Sequence, residues 1–147
     1  MILLDANLLI YAYIEEAPLH VAAQEWLDRQ LAEADAVGFP WESIAAFIRI
    51  TTNPRILQQP IAMTEATRQV ERWLAAEPAW IPRATERQAS LFFNLLAVPG
   101  LRSNDVPDAH LAALAIDHRL TLCSADAGFA RFPRLRWMNP LNPDQRV

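Results

Sequence analysis

The chain has 147 residues, a length that suits one domain with a substantial core. Hydrophobic residues make up 52% and charged residues 20%, which excludes the composition of a disordered chain. A net charge of −4 and a pI near 5.3 exclude a protein that grips nucleic acid through a broad basic face.

Residues 2–4 form a short apolar run ended by Asp5, as expected of a buried strand, and Leu8 to Ile14 read as a turn into a helix. His20 to Ala34 carries apolar residues at Val21, Trp26, Leu27 and Leu31 with polar residues between, an amphipathic helix by its 3.6-residue period. Gly38 and Pro40 bound a strand at 36–39. The spacing of Ile44, Phe47, Ile48 and Ile50 predicts a helix from Trp41 to Thr51, with Glu42 in its first turn and Asn53-Pro54 stopping it.

Thr64 is the expected N-cap of a helix running to about Ala76, and a short strand is expected at Trp80-Ile81. Thr85 to Leu96 reads as helix, and the loop 98–104, with Pro99 and Gly100, leads to a helix from Asp108 to His118. Leu120 to Cys123 and Leu135 to Met138 read as strands, and residues 139–147 as a tail that contributes to a partner groove. Helices alternating with short strands predict an α/β fold, 1–147 as one domain, with a largely parallel sheet.

Cys123 is the only cysteine, so no internal disulfide forms, and no Cys/His grouping has zinc-finger spacing. The N-terminus meets Asp5 at once without a basic leader, and no apolar run approaches the roughly 20 residues of a membrane span. A cytoplasmic protein with no membrane contact is expected.

In open α/β sheets, ligands bind beyond the carboxyl ends of the strands. Asp5 follows the first strand, Glu42 opens the helix after the second, Asp126 follows the strand at 120–123, and Asp108 opens a helix after the long loop. These four carboxylates, far apart in sequence, are candidates for one pocket. Clustered acids repel one another toward protonation, and Mg²⁺, with Mn²⁺ as a substitute, resolves that conflict while favouring phosphodiester hydrolysis. Asn7, Ser124 and Asn104 are candidates to support the same pocket. Asp105 is either a ligand or a helix cap, with capping favoured.

Each acid alone also has a structural reading, at a strand end or a helix N-terminus. His20, His110 and His118 lie on or beside helices without a matching nucleophile and are assigned no chemistry. Cys123 reads as a small core residue, and the five tryptophans as packing residues. Arg49, Arg55, Arg102 and Arg119 are weighed as phosphate contacts, with solvation the default.

Taken together, Leu3-Leu4-Asp5-Ala6-Asn7, Trp41-Glu42, Phe47-Ile48-Arg49-Ile50-Thr51-Thr52-Asn53-Pro54-Arg55, Pro107-Asp108-Ala109-His110-Leu111 and Ser124-Ala125-Asp126 with Phe129-Ala130-Arg131-Phe132 resemble PIN-domain ribonucleases. Within that family the pattern resembles the VapC-like toxins of toxin–antitoxin pairs. The resemblance covers essentially the whole chain. It implies a three-layer α/β/α fold, a Mg²⁺- or Mn²⁺-dependent endoribonuclease, a cognate antitoxin, a homodimer, and the family acids at Asp5, Glu42, Asp108 and Asp126. At Gly128 the chain departs from many relatives, which carry a further acid there, and this bears on a second metal position.

Two other readings compete with a toxin ribonuclease. One is a nuclease of the same fold acting in RNA processing or on DNA. The other is a non-catalytic binding module, against which the intact set of four acids argues, since a protein without catalysis has no need to keep repelling charges together.

Overall fold

The computed structural model describes residues 1–145. Five parallel strands, β1 (Ile2–Leu4), β2 (Val37–Gly38), β3 (Ala79–Trp80), β4 (Thr121–Cys123) and β5 (Arg136–Met138), form one sheet in the order β3-β2-β1-β4-β5. The register pairs Leu3 with Gly38 on one side and with Leu122 on the other. From β1 the chain steps outward to β2 and β3, then returns to lay β4 on the opposite side of β1. Strand order therefore reverses between β1 and β4, where such sheets open a crevice.

Both faces of the sheet are covered, which explains the uninterrupted apolar strands. Helices α1 (Ala6–Tyr13), α2 (His20–Glu33), α3 (Trp41–Thr51) and α4 (Met63–Leu74) bury Leu8, Leu9, Trp26, Leu27, Phe47 and Trp73 with Leu4, Val37 and Phe39 of the sheet region. Helices α5 (Gln88–Leu96) and α6 (Val106–Asp117) bury Leu91, Leu95 and Leu114 with Leu3, Leu122 and Phe129. Leu3 and Leu4 thus face opposite layers, as strand alternation requires. The expected three-layer α/β/α fold is present. Gly38 is dictated by the close approach of β1: a Cβ there would lie 3.0 Å from Leu3 Cδ1 and 3.2 Å from the Ile2 carbonyl.

The element boundaries depart from the sequence expectation where side chains find tertiary partners. α1 starts directly after Asp5 rather than at Leu8. Thr64 is not an N-cap; α4 begins at Met63 behind Ala62, without a side-chain cap. The helix expected from Thr85 begins only at Gln88, because the Thr85 hydroxyl and N–H both donate to the buried Asp117 carboxylate, at 2.6 and 3.3 Å. α6 begins at Val106, two residues before Asp108, behind a 3-10 turn at Ser103–Asp105. The expected C-terminal tail is packed as far as it is described: Leu141 is buried and Asn139 N–H donates to Gln145 Oε1. Residues 146–147 of that stretch lie outside the described residues. Cys123 is buried, and burial pushes its thiol up to about 12.

Candidate active site

Asp5, Glu42 and Asp108 line one cavity of about 170 Å³ with Ala6, Ser43, Ala46, Pro107 and Leu111. It sits at the carboxyl edge of the sheet, at the reversal of strand order. Each acid is delivered by a helix N-terminus: Asp5 precedes α1, Glu42 lies in the first turn of α3, and Asp108 in the first turn of α6. The positive ends of three helix dipoles thus meet the carboxylates.

Asp5 is held from every side. Its N–H donates to the Cys123 carbonyl at 3.0 Å, its Oδ1 accepts from Ala6 N–H at 2.7 Å, and its Oδ2 accepts from the Ser124 hydroxyl at 2.6 Å. The same buried hydroxyl accepts from Asn7 Nδ2 and from Asp126 N–H, both at 3.0 Å, while Asn7 Oδ1 accepts from Ala125 N–H. Ser124 therefore ties the ends of β1 and β4 together. Asn7 and Ser124 are brought to the acids; Asn104 is exposed on the turn before α6 and has no side-chain hydrogen bond among the described residues.

Burial raises the Asp5 carboxyl above its usual range, opposed by its bonds from Ser124 and Ala6 and reinforced by the negative charge of Asp126. Burial, then the charges of Asp5 and Asp126, push Asp108 up to about 6, with Arg131 pulling in the other direction. Asp126 is exposed and does not line the cavity, yet its charge reaches both acids. Its Oδ1 accepts from Gly128 N–H at 2.7 Å, and a Cβ at Gly128 would come within 2.9 Å of that oxygen. The Asp126 carboxylate is thus folded back over the glycine.

Two residues at the site were not anticipated. His110 Nδ1 lies 2.7 Å from Glu42 Oε1, with its ring edge-on to Phe92. Arg131 Nη2 lies 3.2 Å from Asp108 Oδ2 and 3.0 Å from Asp105 Oδ1. A cation five residues after the last acid was the available signal for Arg131, since repelling carboxylates need a neighbouring positive charge. Asp105 precedes α6 but does not cap it with its side chain, the role favoured for it from the sequence. Its carboxylate accepts from Arg102 N–H at 2.7 Å, closing the 3-10 turn, pairs with Arg131, and makes no cap bond to α6. The other two histidines have structural partners: His20 Nδ1 bonds the Tyr11 carbonyl and His118 Nε2 the Arg83 carbonyl.

Among the described residues, no three Asp, Glu, His or Cys side chains converge closely enough to cage an ion. Mg²⁺ does not demand that, since it keeps several waters and commonly takes one or two carboxylates plus substrate phosphate oxygens. Hard oxygen donors, with Asp108 raised by burial and then by the charges of Asp5 and Asp126, fit such a cation.

A PIN domain model matches residues 2–135, and the chain belongs to the PIN-domain family. Its likeness to the VapC group is equally direct. It is 40% identical to ribonuclease VapC37 of Mycobacterium tuberculosis, over 95% of this chain and 97% of that one, and 33% identical to ribonuclease VapC33 of the same organism, over 96% and 99%. In fold it is similar to VapBC2 of Rickettsia felis, solved bound to a promoter DNA fragment, with a TM-score of 0.70 at 17% identity, over 95% of this chain and 98% of that one. It is also similar to VapC20 of Mycobacterium tuberculosis, a toxin that cleaves the sarcin-ricin loop, with a TM-score of 0.65 at 12% identity, over 92% and 99%.

Proposed function

We propose that the protein is a Mg²⁺- or Mn²⁺-dependent endoribonuclease, the toxin of a toxin–antitoxin pair. The observation that carries this reading is the convergence of Asp5, Glu42 and Asp108 on one cavity at the strand-order reversal, with Asp126 electrostatically coupled to two of them. When bound, the cation lowers the pKa of water and offsets the negative charge that develops on phosphate.

Asp5 and Asp108 are the residues to hold it. Asp5 is fixed in orientation by Ser124 and Ala6, so little reorganisation is needed on binding. Glu42 keeps Oε2 without a hydrogen-bond partner among the described residues, while His110 restrains Oε1. That leaves Oε2 able to accept the proton of an attacking water. Water attack at phosphorus with departure of the 3′-oxygen leaves a 5′-phosphate on the downstream fragment.

The relatives' names support a cognate antitoxin, and a shallow, mainly apolar depression lined by Ala45, Ile48, Pro54 and Met63, with Arg49, Thr52 and Asn53 beside them, suits an apolar segment of such a partner. Exposed Trp41 and Val106, on the two helices that bring Glu42 and Asp108 to the acid cavity, and exposed Phe93 on α5 support a homodimer. Sedimentation of the chain with and without its antitoxin tests both. No helix among the described residues is long and apolar enough to cross a membrane, and this reading sets the activity in the cytoplasm.

The deciding experiment is cleavage of total cellular RNA by antitoxin-free protein, wild type beside Asp5→Asn, in Mg²⁺, Mn²⁺ or EDTA. Discrete metal-dependent fragments with 5′-phosphate ends, absent in the variant, are expected. Absence of cleavage by folded wild type in Mn²⁺ would overturn the reading in favour of a DNA substrate or a binding module.

A further inference from the structure

All thirteen basic side chains are arginines; the chain has no lysine. Four of them, Arg87, Arg119, Arg134 and Arg136, line one open cavity of about 380 Å³. Arg119 leads into β4, and Arg136 opens β5, so this cavity lies at the amino edge of the sheet, opposite the acid pocket. No acid lines it among the described residues. In a chain of net charge −4, that is a local inversion of sign.

Two of the four stand where the backbone disfavours a side chain. α6 ends in a Schellman-type turn, with Leu120 N–H donating to the Ala115 carbonyl at 2.9 Å and Arg119 N–H to the Ile116 carbonyl at 3.1 Å. Arg119 accordingly takes φ 57°, at the position glycine usually holds. Arg134, in the turn before β5, takes φ 66°. Left-handed backbone is unfavourable for any residue with a Cβ. Folding alone favours glycine or asparagine at both sites, and arginine at both points to a use for the charge.

That charge is largely unspent inside the fold. Arg136 donates to the Arg119 carbonyl, and Arg87 Nε lies 3.9 Å from Asp117 Oδ1, whose Oδ2 already accepts from Thr85. The side chains of Arg119 and Arg134 have no hydrogen bond or ion pair among the described residues, and all four arginines are exposed.

We propose that this cavity binds the phosphodiester backbone of RNA, as an anchor for substrate outside the acid pocket; its role as a substrate anchor rests on the ribonuclease reading. Guanidinium forks match pairs of phosphate oxygens. Asp108 in the first turn of α6 and Arg119 just past its end are about 17 Å apart along the helix axis, a span that one folded RNA exceeds. An acidic polypeptide fits less well, because, of the apolar lining residues, Ala115 and Leu120 are buried and Ile116 alone is partly exposed, which gives its side chains little to pack on.

The test measures binding of a labelled RNA hairpin by the full chain in EDTA, where nothing is cut, across a salt series. The double variant Arg119→Gly, Arg134→Gly removes two charges while placing glycine where the backbone favours it, so its melting temperature is expected to hold or rise. Its affinity is expected to fall about tenfold, and its salt slope by about 0.7–0.9 for each lost contact, the range between single-stranded and duplex nucleic acid. A charge-matched control, Arg68→Gln with Arg72→Gln on α4, is expected to bind like wild type. Equal weakening by the control, or an unchanged slope in the double variant, overturns the proposal. So does a loss confined to binding of a polyglutamate peptide, which assigns the cavity to an acidic protein. Cleavage in Mn²⁺ is scored on the same preparations: inactive wild type whose RNA binding still depends on the arginines removes the ribonuclease reading and keeps the RNA site.

Discussion

The carboxyl edge of the sheet gathers acids that each have a partner, neutral donors on Asp5, His110 on Glu42 and Arg131 on Asp108, whereas the amino edge gathers arginines with few partners. The same short strands of two or three residues run to both edges, so strand chemistry does not make the difference. Helix polarity does. In a parallel α/β fold the helices begin at the carboxyl edge and end at the amino edge, so Asp5, Glu42 and Asp108 sit at positive dipole ends and Arg119 just beyond the negative end of α6. At the acid edge this help is incomplete, since burial still raises Asp108 to about 6. A site poised in that way holds unrelieved repulsion that a cation would remove.

The sharpest way to break the comparison is to neutralise the acid edge. Asp5→Asn, nearly isosteric, is expected to lower RNA cleavage by about 100-fold or more while leaving the melting temperature within a few degrees, as read by cleavage assay and calorimetry. Retained activity would make the acid edge merely structural. Ser124→Ala comes next. It removes a buried hydroxyl that serves Asp5, Asn7 and Asp126, and is expected to reduce unfolding stability by about 1–2 kcal/mol in urea titration, with slower cleavage.

Asp108→Asn is expected to act in the opposite direction on stability. Unfolded, this carboxyl loses its proton near 3.8; folded, near 6. Between those values the folded state holds more protons, so wild-type stability without metal falls as pH rises through that window and stays reduced above it. The variant is expected to be about 1 kcal/mol more stable near neutrality in EDTA, after allowance for solvent screening, and to show a flatter pH profile in urea titrations. The smallest effect is expected from Arg131→Gln. Removing the cation that pairs with Asp108 is expected to tighten Mn²⁺ binding about threefold by calorimetry, and weaker binding would show that Arg131 positions Asp108 rather than competing with metal.

Much of this molecule is readable from local pattern. The apolar run 2–4 ended by Asp5, the amphipathic spacing of Ile44 and Phe47 in α3, and the alternation of helices with strands follow from side-chain periodicity, which a linear chain displays in full. The positions of Asp5, Glu42 and Asp108, and of Asn7 and Ser124 beside them, were legible because each stands next to an element end, whereas Asp126, equally placed in sequence, lies outside the cavity lining.

What sequence could not display was pairing across the fold. Nothing local distinguishes Thr85, which bonds a buried Asp117 thirty-two residues away and so delays α5, from a residue that would begin that helix. His110 on Glu42, Arg131 between Asp105 and Asp108, and Asn104 left outside the site are likewise decided by which helix packs beside which. The arginine cavity is the clearest case. Arg87, Arg119, Arg134 and Arg136 look like scattered solvated charges along the chain, and only the docking of β4 beside β5 and of α5 beside α6 brings them to one edge. By itself, the sequence determined the elements and the residues that end them, because periodicity and caps are short-range; the tertiary structure alone decided which charges meet, because Coulomb and hydrogen-bond partners are set by distance in space.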